Sequence, residues 1–266
     1  TPPLTIKNIG IRSANDIQNS TLNSGDVVNI TLTMSEQTTV TGAPNLALNI
    51  GGSTVQAAYT SGSGTSELLF SYTILNGQTD LDGISVDPNS LSLNGGTIKN
   101  AAGSNGVLTH NPIIPQANFK VDTTSPTVTA VALTSADGIQ NSSLKAGDVV
   151  HATATMSEAT LVTGTPTLTL NIGGTAVQAH YTSGSGTNAL IFSYTIREGQ
   201  TDTNGISIDA NSLSLNGGSL QDAAGNHARL GLLSTSGSIT VTDLDTTDTV
   251  TAVVSSVALS GTFTSS

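Results

Sequence analysis

Acidic side chains are scarce in this chain of 266 residues, but several recur at a fixed spacing. Asp80 and Asp202 stand 122 positions apart, as do Glu36 and Glu158, and Asp122 falls between the two sets. One group of oxygen donors comprises Asp16, Asp80, Asp82, Asp122, Glu158, Asp222 and Asn226. A second comprises Asp137, Asp202, Asn204 and Asp245. Carboxylates and amides with few cations near them attract hard metal ions. Ca²⁺ takes about 6–8 oxygens at about 2.3–2.6 Å, from carboxylates, amides, carbonyls and water. The chain has no cysteine, so thiolate ligands are absent, which argues against zinc or copper. Asp and Asn are also common turn formers, because their side chains bond nearby backbone amides. Each donor therefore has a purely structural reading beside the ligand one.

Other chemistry is not indicated. His110, His151, His180 and His227 have no histidine counterpart in the other half of the chain, and His151 and His180 fall on the polar sides of strands. They read as solvated surface positions. No Gly-x-Ser-x-Gly elbow, His-Glu-x-x-His pair or phosphate loop occurs. An enzyme is not expected. The net charge of −11, with seven Lys and Arg, disfavours nucleic acid and anionic membrane as partners. No apolar run approaches the ~18 residues of a membrane span, and no signal peptide is visible.

The elements that must position the donors follow from an internal duplication. Residues 13–108 align without a gap to 135–230, and about two-thirds of the positions are identical. TMSEQTTVTGAPNLALNIGG matches TMSEATLVTGTPTLTLNIGG, and YTSGSGTSELLFSYTI matches YTSGSGTNALIFSYTI. A repeat of this length is a domain rather than a solenoid unit. Val28, Ile30, Leu32 and Met34 alternate with Asn29, Thr31 and Thr33, and Leu68, Phe70, Tyr72 and Ile74 share a face. Period two denotes half-buried strands. Asn-Ile-Gly-Gly at 49–52 and Leu-Asn-Gly-Gly at 93–96 read as hairpin turns. No stretch has helical periodicity. The chain is expected to be all-β: two tandem immunoglobulin-like β-sandwich domains over 1–122 and 123–245. Residues 246–266 then form a linker and the first strand of a following domain, or a free tail. Aromatics are only 3% of the chain and tryptophan is absent, so both cores rest on small aliphatic side chains.

The ordered series DTTSP, TMSE, LTLNIGG, YTSGSGT, TDxxGI and LNGGxxxxAAGN covers nearly all of 5–230. It resembles the bacterial immunoglobulin-like repeats of giant surface adhesins, of the biofilm-forming and RTX types. Residues 237–262 resemble the cadherin-like repeats of the same proteins. The resemblance implies sandwich domains strung in long arrays at the extracellular bacterial surface, with calcium in the linkers. It implies a structural extender, whose partners are neighbouring repeats of the same chain and identical chains on other cells.

Strand order places the donors at domain ends. In the second copy 127–134 descends, the loop 135–148 lies at the bottom, and TMSE ends a climbing strand at the top. Residues 167–172 descend, 176–182 climb and 189–196 descend. The stretch 206–220 climbs through a hairpin or bend, bringing Asp222 and Asn226 to the top. A last strand descends and leaves at Asp245. Stacking two copies then brings Asp80, Asp82 and the Asn15-Asp16 loop of the first, the linker's Asp122, and Glu158, Asp222 and Asn226 of the second to one junction. Pro126 stiffens that linker by fixing φ and restricting Ser125. The top of the first domain has Asn100 and Ser104 in place of Asp222 and Asn226, so a weak or absent site is expected there. The bottom of the second, with Asp137, Asp202, Asn204 and Asp245, is expected to be half a site.

Two other functions fit the same sequence. A carbohydrate-binding module would normally show exposed aromatics for stacking, which are few here. A self-assembling subunit would use 249–263 as a strand donated to a neighbour's sheet edge.

Overall fold

Alternating apolar residues fold this chain into two β-sandwich domains. A computed structural model describes residues 3–230, which contain strands and turns but no helix. Asp245 and the tail 246–266 lie outside the described residues.

The first domain contains β1 (Ile6–Ala14), β2 (Thr21–Leu22), β3 (Val27–Thr41), β4 (Asn45–Ile50) and β5 (Ser53–Ser61). It continues with β6 (Thr65–Thr73), β7 (Thr79–Asp80), β8 (Leu91–Ser92), β9 (Thr97–Lys99) and β10 (Lys120–Asp122). The main sheet runs β1-β3-β6-β5-β4-β8, with β9 added to the far half of β3, and a small sheet runs β2-β10-β7. The second domain repeats this with β11 (Val128–Asp137), β12 (Val149–Thr163), β13 (Thr167–Ile172), β14 (Thr175–Ser183), β15 (Thr187–Thr195), β16 (Ser207–Ser214) and β17 (Ser219–Gln221). Its sheet order is β11-β12-β15-β14-β13-β16, with β17 on the far half of β12.

The inward faces are those that period two selects. Val28, Ile30, Leu32, Leu46, Leu68 and Phe70 are fully buried in the first core, and Leu168, Leu170, Leu190 and Phe192 in the second. Each core carries one buried phenylalanine, with a tyrosine edge-on to it: Tyr59 on Phe70 at 5.7 Å and Tyr181 on Phe192 at 5.9 Å between centroids. Edge-to-face pairs add roughly 0.5–1.5 kcal/mol beyond burial.

Two expectations are corrected. TMSE does not end a strand. β3 and β12 run on for 15 residues each, because the chain changes partner at this point. The register of β12 against β15 breaks between Thr155 and Thr160, and Leu161, Val162 and Thr163 then pair with β17. Leu93-Asn94-Gly95-Gly96 is likewise no hairpin. The turn is tight, with Asn94 and Gly95 at positive φ and the Gly96 N–H donating to the Leu93 carbonyl at 2.7 Å. However, β8 pairs with β4 and β9 with β3, so the turn carries the chain from one side of the sandwich to the other. The other expected hairpin forms: Gly51 and Gly52 join β4 to β5, both at positive φ. A side chain at Gly51 would collide with the Thr79 carbonyl oxygen.

Candidate metal centre

Three segments converge where the domains meet. The first is the linker. β10 ends at Asp122, clamped between β2 and β7, with Val121 fully buried. Thr123 then fixes the chain to the first domain: its hydroxyl donates to the Gln78 carbonyl and accepts from the Gly77 N–H, both at 2.9 Å. Three residues later the second domain takes hold. The Arg229 N–H donates to the Pro126 carbonyl at 2.8 Å, and Thr127 and Ser157 exchange two bonds. The linker is thus short and bonded at both ends, with Pro126 buried.

The second segment is the break in β12. Its burial alternates strictly as far as Met156 and then lapses at 157–159. That lapse lets Glu158 turn towards the linker instead of staying on one sheet face. The third is the turn after β17. The Asp222 carboxylate holds this turn closed, its Oδ1 accepting the backbone N–H groups of Ala224 and Asn226, each at 2.8 Å. Its Oδ2 accepts the Asn226 side-chain amide at 2.8 Å, and the same amide donates to the Asp122 carbonyl. Asn226 therefore straps the turn to the linker with its nitrogen.

The result is a cluster of carboxylates. Asp122, Glu158 and Asp222 each offer an oxygen, and the three oxygens lie within 4.8 Å of one another. Among the described residues it is the one such group of metal-ligand type. No lysine or arginine makes an ion pair with any of the three among the described residues. Asp222 is 4% exposed, while Asp122 and Glu158 are half-buried. Like charges about 4 Å apart repel by about 4 kcal/mol near a protein surface and by about 1 kcal/mol in bulk water. The half-buried positions belong nearer the lower figure. Burial pushes the Glu158 carboxyl above its ordinary value, and the Asp222 and Asp122 charges push it further the same way.

The duplication supplies a control. In the first domain Asn100 occupies the place of Asp222, and its side-chain amide donates to Glu36, the counterpart of Glu158, at 3.0 Å. Asn100 also closes the equivalent turn, accepting the Ser104 N–H at 2.9 Å. Loop shape is thus kept without a second charge. In the second domain that neutral donor is replaced by an anion, and a linker aspartate is added. The donor set is all oxygen and partly desolvated, which fits a hard divalent ion.

The surrounding contacts show why this turn differs from its twin. Asn19 and Asn23 of the first domain donate to the Ala223 and Ala224 carbonyls, at 2.8 and 2.9 Å. Ala224 and Gly225 are buried, whereas Ala102 and Gly103 in the first copy are exposed. The loop ahead of β3 does meet the second domain, but through these asparagines. Asp16 is exposed on that loop, at positive φ.

The remaining predicted donors stand elsewhere. Asp80 is buried, and its two oxygens accept the Gly51 and Gly83 N–H groups at 2.9 and 2.8 Å, inside the first domain. Asp202 does the same with Gly173 and Gly205, both at 2.9 Å, and also accepts Asn204 N–H at 3.2 Å. Asp82 and Asn204 are exposed. Asp137 is 78% exposed and meets His151 Nε2 at 3.1 Å, while His151 Nδ1 lies 2.8 Å from Ser193 Oγ. That row has the order of a hydrolytic triad, which sequence reading missed. It lies across a sheet face, and in the first copy Asn29, the counterpart of His151, bridges the same three strands by bonding Ser71 on one side and Ser13 on the other. An amide serves equally well there, so the row is a cross-strand link.

One pH effect follows. A carboxyl whose folded pKa is raised favours the folded state when protonated. In calcium-free buffer, stability should therefore rise as pH falls through the window between 4.5 and the raised value of Glu158. Glu158→Gln should remove that component from melting curves recorded across this window. An unchanged pH slope in the variant would contradict the assignment.

No family model and no curated protein matches this chain. Two solved structures show distant likeness. One is described as structural insight into host cell surface retention of a 1.5-MDa bacterial ice-binding adhesin; identity is 16%, coverage 73% of this chain and 54% of that one, and the TM-score 0.35. The other is the crystal structure of a tetra-tandem repeat in the extending region of a large adhesion protein, with 16% identity, coverage of 85% and 47%, and a TM-score of 0.22. This chain spans about half the length of each.

Proposed function

We propose that this chain is a structural extender, a two-domain stretch of a large bacterial cell-surface adhesin, whose domain junction is stiffened by calcium. The observation that supports the ion is the exchange of Asn100 for Asp222. Two copies of one loop differ in that a hydrogen-bonded amide–carboxylate pair becomes three converging carboxylates at the domain junction. Asp122, Glu158 and Asp222 would hold the cation. Its charge would replace their repulsion with attraction, and would tie the linker to both the β12 bend and the 222–226 turn. The neighbouring repeat of the same chain is then the partner that matters. The adhesin reading rests on the tandem duplication and the ordered motif series. Sites in extracellular modules typically bind with dissociation constants of about 10⁻⁴–10⁻³ M.

Calorimetric titration of calcium into the full chain, with X-ray scattering in millimolar calcium and in EGTA, tests this. Heat of binding at about one ion per junction and a narrower distribution of shapes in calcium are expected. An identical scattering profile in both buffers, with no heat, would overturn the reading.

A further inference from the structure

The turn that carries Asp222 is held from two sides, and only one of them is its own domain. From within, the Asp222 carboxylate accepts the Ala224 and Asn226 N–H groups. From the first domain, Asn19 Nδ2 donates to the Ala223 carbonyl at 2.8 Å and Asn23 Nδ2 to the Ala224 carbonyl at 2.9 Å. Gln18 lies against Gly225, where a Cβ would stand 2.6 Å from its Nε2. Residues 223, 224 and 225 therefore each meet one loop of the first domain. That loop does not need the Asn23 side chain for its own shape. Asp26 closes it by accepting the Asn23 backbone N–H, and Asp148 closes the twin loop by accepting the Lys145 N–H, both at 2.8 Å. Lysine thus stands in the place of Asn23 with the closing bond unchanged. The Asn23 amide serves the neighbouring domain instead.

We infer that Asn19 and Asn23 are positioning residues for the cluster of Asp122, Glu158 and Asp222, and that they make ion binding and domain docking one coupled equilibrium. They act through the turn. The path runs from their amides to carbonyls 223 and 224, then to the Asp222 carboxylate, and through the Asn226 amide to the Asp122 carbonyl. All of these bonds are made by neutral donors, so they hold the turn in place while the three carboxylates repel one another. A turn that rocked free would present Asp222 to an ion for part of the time, and apparent affinity falls by that fraction. Linkage is reciprocal: whatever docking of the loop adds to ion affinity, the ion adds to docking. An ion therefore stiffens the junction because the turn it orders is the turn that the first domain grips. The affinity part of this inference rests on the calcium reading above; the positioning of the turn does not.

Asn19→Gly with Asn23→Ala in the full chain removes both donors. Glycine keeps the positive φ of position 19, and the backbone N–H of position 23 keeps its bond to Asp26. In EGTA, amide hydrogen exchange at Ala224 and Asn226 should become at least about fivefold faster, because local opening of the turn costs less. The Ser104 N–H, which bonds Asn100 in the equivalent turn of the first domain, should exchange as before. Calorimetry should show calcium bound at least about fivefold more weakly. Asn23→Ala alone, which leaves the bonds of its own loop in place, should move both readings the same way. Unchanged exchange at Ala224 and Asn226 would overturn the inference whatever calcium does. Faster exchange with calcium affinity intact would also overturn it, by reducing the two amides to a docking contact. A parent chain that binds no calcium would sink the calcium reading and the coupling with it, and exchange in EGTA would then decide the positioning role alone.

Discussion

Asp222→Asn is expected to weaken calcium binding at the domain junction at least tenfold, while raising the stability of the calcium-free chain. The variant recreates the charge pattern of the first domain, where Asn100 donates to Glu36. Removing one of three anions takes away a charged ligand, and calcium affinity follows ligand charge count. Removing it also relieves the Asp222 share of the repulsion on Glu158, and a new amide donor to that carboxylate contributes roughly 1 kcal/mol. The Asn226 amide would lose one of its two acceptors and keep the Asp122 carbonyl, so Asp222→Asn with Asn226→Ser copies the first domain's Asn100 and Ser104 more closely. Calorimetry gives the affinity, and melting curves in EGTA and in calcium give the stabilities. Opposite signs in the two buffers distinguish a lost ion site from a damaged fold. A variant that binds calcium as tightly as the parent would remove Asp222 from the site.

Asp80→Ala is expected to have the opposite profile. Sequence spacing placed Asp80 among the junction ligands, yet both of its oxygens are engaged by backbone amides at 2.8–2.9 Å in a buried turn. Hydrogen bonds to a charged group are worth roughly 1.5–3 kcal/mol each, and the two amides would be left without an acceptor. A loss of about 3–5 kcal/mol from the first domain follows, lowering its melting temperature by more than about 10 °C. Calcium affinity should change little as long as the domain remains folded. A large fall in affinity with an unchanged melting temperature would return Asp80 to the ion. Asp202 holds the matching turn in the second domain, so Asp202→Ala should act there in the same way.

What the sequence determined by itself was the architecture. Strict alternation in stretches such as Val28–Met34 names the buried face, because a pleated strand shows every second side chain to the core. The gapless match of 13–108 to 135–230, at a constant offset of 122, announces two copies of one domain. The meeting of the linker with the top of the second domain was legible too, since strand count alone decides which end each loop occupies. Tertiary structure decided which oxygens converge. Asp80, Asp122, Asp202 and Asp222 look alike in sequence, each next to a turn. All four accept backbone amides through their carboxylates: Asp80 and Asp202 bond glycine amides across the hairpin loop, Asp222 closes its own turn, and Asp122 accepts the Thr124 N–H at 2.9 Å. Only Asp122 and Asp222 also face Glu158, because β12 changes partner at that point and bends. No local pattern encodes that bend. It arises from β15 and β17 competing for the two halves of one long strand, an interaction between segments tens of residues apart.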